Sequence, residues 1–351
     1  MIGWNEIYNV VVAMAPLYVA LILGYGSVRW WKIFTHDQCD AVNRLVCYFT
    51  LPLFTFDFTS HIDPFRMNYL FIGGDAISRL AIVVVLVLWA KFCSKGSYAW
   101  SITIFSLSTM TNTLVVGVPL LKAMYGKAGV DLVVQSTVVQ SIVWITLLLF
   151  VLEIRRSGSI EVVDSHTLPG ETHADLERSE ATISTRPPFW SLMKKVWIKL
   201  AMNPNSYACI LGVAWAFVAA RWYIEMPRIM KESILIMSKA GTGTAMFSMG
   251  MFMAQQEKLI ACGTSLTLLG MLLKFIAGPA SMAVGAFAVG LRGDILSIAI
   301  IQAALPQAII SFIFAKEYDL HAEVLSTAVI FGTIVSLPVL IVYYIVLELL
   351  N

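Results

Sequence analysis

Long apolar runs alternate with short polar breaks along the whole chain, and the runs are too long for strands. Crossing a bilayer takes about 20 mostly apolar residues. Runs of that length are expected near 7–29, 39–59, 69–93, 99–123 and 131–153, and again near 205–225, 232–255, 264–290, 295–316 and 322–349. One hydrophilic stretch, 154–200, separates the two sets. The pattern predicts an all-α integral membrane protein of ten transmembrane helices. A first five-helix repeat covers 1–153 and a second covers 201–351. An odd number of spans per repeat places the second copy upside down in the bilayer. Inverted repeats with paired discontinuous helices are the layout of secondary transporters.

The fourth helix of each half carries a proline next to side-chain amides. The interruptions run from Asn112 to Pro119 (TNTLVVGVP) and from Gln302 to Gln307 (QAALPQ, with Pro306). Proline removes a backbone N–H and frees a carbonyl one turn back. At membrane depth such freed groups are tolerated where protein, water or a ligand satisfies them. Pro16, Pro52, Pro279 and Pro338 also lie in apparent spans, so proline alone discriminates poorly. The added signal is Asn112 and Gln307, whose amides donate and accept and so bind a carboxylate without adding charge. A half-helix N-terminus beyond each break adds a field that favours an anion. Mechanical kinks are the competing explanation.

Charges inside spans sharpen the picture. Asp75, Arg79, Lys274, Arg44 and Lys239 fall within apolar runs, where each costs about 2.5–3.5 kcal/mol on insertion scales. Asp75 and Arg79 stand one helical turn apart and can pair, either as a structural ion pair or beside a solute cavity. Lys274 occupies the same repeat position in the second half. Arg44 and Lys239 lie near helix ends and are expected to snorkel. The seventh span, with KAGTGTA and then MFSMGMFM, suits close helix approach and an adaptable surface. The segment 188–200 reads as a positively charged membrane flank or a short amphipathic helix on the headgroups.

Overall composition agrees: 58% hydrophobic, 13% charged, mean hydropathy +0.79. The net charge of +2 and the absence of a basic aromatic patch point away from nucleic acid. Lys and Arg concentrate in the loops after odd-numbered spans, which puts the central loop in the cytosol and both termini on the far side. The N-terminus lacks a basic n-region and cleavage site, so the first apolar run is expected to be retained. Cys39, Cys47, Cys93, Cys209 and Cys262 have no metal or disulfide spacing and read as small buried hydrophobes. His36, His61, His166, His173 and His321 read as solvated loop or span-edge residues forming no ligand cluster. No Walker A, HExxH or GxSxG sequence is present, so no catalytic residue, cofactor or metal is expected, and transport would run on a gradient. A channel would need a continuous polar pore, and a membrane enzyme or receptor has nothing specific in its favour.

Five long blocks carry a family resemblance: PLYVALILGYGSVRWWKIFTHDQCDAVNRLV (16–46), SITIFSLSTMTNTLVVGVPLLKAMYG (101–126), SILIMSKAGTGTAMFSMGMFMA (233–254), IAIIQAALPQAIISFIFAKEY (298–318) and LSTAVIFG (325–332). In them the chain resembles the PIN-FORMED auxin efflux carriers of plants, specifically a short-loop member. The resemblance implies helices 4 and 9 crossing at Pro119 and Pro306. It also implies a dimerising scaffold of helices 1, 2, 6 and 7, and a transport domain of helices 3–5 and 8–10 moving elevator-fashion. The implied substrate is the indole-3-acetate anion, with related aromatic carboxylates beside it. By resemblance, Asn112 holds the carboxylate, Leu51, Leu114, Ile309 and Ile310 line the indole pocket, and Asp75, Arg79 and Gln307 form a polar support. A short loop implies the endoplasmic reticulum membrane, with the plasma membrane as the alternative. Many relatives have Lys at position 79 and Pro at position 111, where this chain has Arg79 and Thr111. The alternative to auxin is a proton-coupled carrier of another aromatic or organic anion.

Overall fold

Apolarity alone makes helices here, because in lipid each backbone N–H and C=O must find its partner within the segment. The computed structural model describes residues 4–94, 96–164, 189–256, 258 and 260–350. The middle of the hydrophilic loop, with His166 and His173, lies outside the described residues. The helices are α1 (Trp4–Arg29), α2 (His36–Leu45), α3 (Leu51–Ser60), α4 (Tyr69–Phe92), α5 (Tyr98–Thr109), α6 (Val118–Val139), α7 (Ile145–Asp164) and α8 (Phe189–Met202). After them come α9 (Pro204–Trp222), α10 (Arg228–Gln255), α11 (Thr264–Leu272), α12 (Gly278–Ala288), α13 (Gly293–Ala303), α14 (Ile309–Glu317) and α15 (Ala322–Leu350). Single π-helical turns at Val46–Thr50, Gln140–Trp144 and Leu273–Ala277 join α2 to α3, α6 to α7 and α11 to α12. Helix starts are set locally. Thr35 and Gln38 close a capping box on α2, and the Asn68 side chain accepts from the Phe71 N–H at 2.9 Å.

Among the described residues, five stretches are long and apolar enough to cross a membrane: Ile7–Arg29, Tyr69–Phe92, Thr113–Arg156, Thr264–Ala288 and Ala322–Leu350. The third of these, of 44 residues, is interrupted at Gly126, whose φ of 61° no helix accommodates. The expected runs at 99–123 and 295–316 are each divided near the middle, so neither half reaches spanning length. The 28-residue α10 is long enough, but Lys231, Glu232, Lys239 and its Gly, Ser and Thr residues dilute its apolarity.

Helices from the two halves of the chain pack on one another. Helices α1, α3, α9 and α10 form one group, and α4 lies along α12. Two glycine contacts explain how closely. A Cβ on Gly250 of α10 would overlap the Leu21 carbonyl of α1, and one on Gly285 of α12 would overlap the Gly74 carbonyl of α4. Met246, Met249, Met251 and Met253 of α10 are all buried. The main core joins α1, α6, α10, α13 and α15 around Leu120, Leu121, Met246, Ile301 and Val329.

Candidate functional site

The chain breaks between α5 and α6 and between α13 and α14, and the two breaks cross. Thr111 pairs antiparallel with Gln307. The Asn112 N–H donates to the Pro306 carbonyl at 2.9 Å, and the Ala308 N–H donates to the Met110 carbonyl at 3.3 Å. Pro306 lacks an N–H, so it sits where only its carbonyl is needed. Pro119 lies beyond its break, inside the helical run that opens with the π turn at Thr113–Gly117, so its missing N–H takes one helical bond from a carbonyl of that turn. The expected crossing at Pro119 falls instead at Thr111 and Asn112.

Asn112 is half-buried at this crossing. Its backbone N–H and C=O are used, the carbonyl accepting from Gly117 at 3.2 Å, but among the described residues its side-chain amide has no hydrogen-bond partner. Gln307 differs. It is fully buried, and its Nε2 donates to the Ser106 carbonyl at 2.9 Å and to Ser311 Oγ at 2.8 Å, while its Oε1 has no partner. Leu114 belongs to the main apolar core, with Leu51 and Ile309 packed against it. Ile310 faces a second cluster built on Trp144, Leu148 and Leu149.

Asp75 and Arg79 pair in α4, Arg79 Nε donating to Asp75 Oδ1 at 3.0 Å, with both side chains buried. Trp144 Nε1 donates to Asp75 Oδ2 at 3.1 Å, and the Arg79 guanidinium lies over the Trp144 ring at 5.2 Å. Gln140 ties this pair to the break. Its Nε2 donates to the Thr111 carbonyl at 2.8 Å and its Oε1 accepts from Thr111 Oγ1 at 3.1 Å. Arg79 Nη2 reaches the same Oε1 at 3.5 Å. Asp75, Arg79, Thr111 and Gln302 line a small cleft with room for about one water. Lys274 is fully buried, and its Nζ donates to the Met110 carbonyl at 3.2 Å. Sequence reading missed Gln140, Trp144 and the Gln302–Ser136 bond of 2.6 Å. A second glutamine-bearing run, QSTVVQ at 135–140, was the signal available for them.

Several expectations need correction. Cys39 and Cys209 are buried, but Cys47 and Cys93 are exposed on the apolar exterior and Cys262 is intermediate. His321 is not a solvated loop residue: its Nδ1 is 2.9 Å from Thr103 Oγ1 and its ring stacks on Trp100 at 4.1 Å. Burial, and then the positive charge of Arg155, hold its pKa below the ordinary value. His36, His61, Arg44 and Lys239 are exposed. Beyond the crossing, Lys199 of α8 contacts Glu153 and Glu317, each at 2.7 Å. Burial works against its charge, but bonds to Glu153, Glu317 and Tyr318 raise its pKa above the usual lysine range. Burial, and then the bond to Glu153, push the Tyr318 phenol up to about 12.

Comparison with known proteins gives this arrangement a setting. Residues 9–344 match a family described as membrane transport protein. The chain is 64% identical to auxin efflux carrier component 5 of Arabidopsis thaliana over 351 residues, covering all of both chains. It is 59% identical to a probable auxin efflux carrier component 5a of Oryza sativa subsp. japonica, again over all of both chains. With auxin efflux carrier component 8 of Arabidopsis thaliana it shares 39%, covering 99% of this chain and all of that one. Crossed, broken helices in an apolar helical chain, together with full-length identity at this level, place the chain in the PIN-FORMED auxin efflux carrier family as a short-loop member.

Proposed function

We propose that this protein carries the indole-3-acetate anion out of the cytosol by alternating access, without ATP or a bound metal. The observation that carries the reading is the Asn112 amide: half-buried, without a partner among the described residues, and two positions before Leu114 of the apolar core on which Leu51 and Ile309 also pack. An aromatic carboxylate asks for such a combination of one uncharged donor for its oxygens and an apolar wall for its ring. Ile310, next in the chain to Ile309, packs instead on the second cluster and would reach the ring only from that side. Gln307, Asp75 and Arg79 brace the crossing from behind, and Pro119 and Pro306 shape the two broken helices. The names of the full-length relatives support auxin as the cargo.

The finer architecture we propose is ten spans in two inverted repeats. Helices 1, 2, 6 and 7 form a scaffold through which two copies dimerise, and helices 3–5 and 8–10 form an elevator-like transport domain. The mutual packing of α1, α3, α9 and α10 supports that division. We place the carrier in the endoplasmic reticulum membrane with its central loop cytosolic. A potential negative on the cytosolic side would drive the anion outward by about 2.3 kcal/mol per 100 mV. Proton coupling through Asp75 is the competing mechanism, and unchanged uptake and pH profile in Asp75→Asn would sink it.

The deciding experiment is uptake of labelled indole-3-acetate into proteoliposomes under an imposed potential, with wild type and Asn112→Ala compared. Saturable, potential-sensitive uptake that disappears in the variant supports cargo and site together. Uptake that survives Asn112→Ala moves the site elsewhere, and no uptake by wild type rejects the cargo.

A further inference from the structure

Helix α8 is amphipathic in an unusual sense, because each of its long faces mixes apolar side chains with a lysine. At about 100° per residue, Leu192, Val196, Lys199 and Leu200 share one face, and Lys194, Trp197, Ile198 and Ala201 share the other. The first face is sealed against the protein, with Val196 and Leu200 buried and α7 and α9 alongside. The second is open: Trp197 is 57% exposed, Ile198 is 48% exposed, and Lys194 and Lys195 are exposed beside them. Among the described residues neither lysine has an acidic partner.

The depth of this face follows from what the other face touches. Lys199 Nζ lies 2.7 Å from Glu153, in the middle of α7 just before its apolar stretch stops at Arg156, 2.7 Å from Glu317 at the end of α14, and 4.2 Å over the Tyr318 ring. Tyr318 in turn donates its hydroxyl to Glu153 at 2.6 Å, and Arg155 donates to the Tyr318 carbonyl at 3.1 Å. These groups sit where the apolar stretch Thr113–Arg156 gives way and where the short α14 ends, which places them toward one rim of the apolar belt. Tryptophan and lysine together at that level are the residues of a membrane interface. One exposed face of a 14-residue helix also falls short of the roughly 800 Å² per side that a stable protein interface needs.

We propose that α8 docks on anionic phospholipid headgroups through Lys194, Lys195, Trp197 and Ile198, and that Lys199 latches this strap to the α14–α15 turn. Asn203 and Pro204 end α8 and start α9 afresh, so the strap tilts without carrying α9 with it. Resting on the carrier reading above, headgroup charge in that leaflet would then set the balance between the end states of the moving helices.

The test uses the full chain in nanodiscs of phosphatidylcholine alone or with added phosphatidylserine. Hydrogen exchange of 189–202 is read first, since it does not depend on cargo. Phosphatidylserine should slow that exchange several-fold in wild type, each lysine contributing up to roughly fivefold in docking. The difference should vanish in Lys194→Gln/Lys195→Gln. Lys199→Met should keep the lipid-dependent slowing at 189–202 and lose protection at 314–321. No lipid effect in wild type, or an undiminished one in the double variant, overturns the docking. Unchanged protection at 314–321 in Lys199→Met overturns the latch. Indole-3-acetate uptake in matching proteoliposomes should rise with phosphatidylserine in wild type alone. If uptake is absent in every membrane while the exchange results hold, the carrier reading fails and the docking stands.

Discussion

The two breaks that cross at the centre of this protein are finished in different ways. In the second break the local glutamine turns inward, and Gln307 spends both amide protons on Ser106 and Ser311. In the first break that task falls to a residue from the next helix, because Gln140 clamps Thr111 from both sides. Asn112 is thereby relieved of structural duty, and its amide remains open at the same crossing. Symmetry of sequence thus conceals a division of labour. One half supplies the brace, and the other supplies the free amide a ligand can use.

That contrast between closed and open polar groups can be broken by mutation. The largest effect is expected at the buried charge pair, although Arg79 Nη1 itself has no partner among the described residues. Asp75→Ala leaves Arg79 buried without its carboxylate and also strips Trp144 of its acceptor. It should lower stability by about 3–5 kcal/mol, seen as a fall in thermal midpoint in detergent. A fall of less than about 1 kcal/mol would mean that water reaches the pair and the brace is not closed. Asn112→Ala should do the reverse. Stability should stay within about 0.5 kcal/mol of wild type, while affinity for an aromatic carboxylate falls by about 1.5–3 kcal/mol, or roughly 10- to 150-fold. Binding calorimetry beside a melting curve reads both. Gln307→Ala should sharpen the comparison with a smaller stability loss of about 1–2 kcal/mol for its two lost bonds. Were Asn112→Ala the destabilising one and Gln307→Ala the neutral one, the assignment of brace and ligand group would have to be exchanged.

Much of this was legible in the sequence, for definite reasons. Apolar runs of spanning length reveal themselves, and proline beside amides marked both breaks. Spacing alone brought Asp75 to Arg79, since four residues on a helix fix a common face. What spacing cannot supply is contact between helices. Gln140 and Trp144 lie about 65 residues from Asp75 and look like ordinary members of an apolar run. Their role exists only because a π turn at Gln140–Trp144 rotates them toward α4 and the break. The same limit hid His321, which belongs to a short polar turn by sequence and to a packed joint by structure.

That joint carries the smallest predicted effect. The His321 ring is held between Trp100 and Thr103 of α5, with Arg155 of α7 nearby, and its carbonyl accepts from Val324 and Leu325 at the start of α15. Burial, and then Arg155, place its folded pKa below the ordinary histidine value. The unfolded chain therefore binds the proton more readily, so stability is complete above that value and is lost as pH falls through it toward the folded pKa. A positive charge at the start of α15 opposes the helix dipole and acts in the same direction. Acidification from pH 7.5 to 5.5 should thus lower the thermal midpoint slightly, solvent screening at this partly exposed ring keeping the loss well under about 1 kcal/mol. His321→Gln, which keeps a hydrogen-bonding group for Thr103 and cannot titrate, should flatten that part of the pH profile. A slope that persists in the variant would assign it to other titrating groups and leave His321 a packing residue alone.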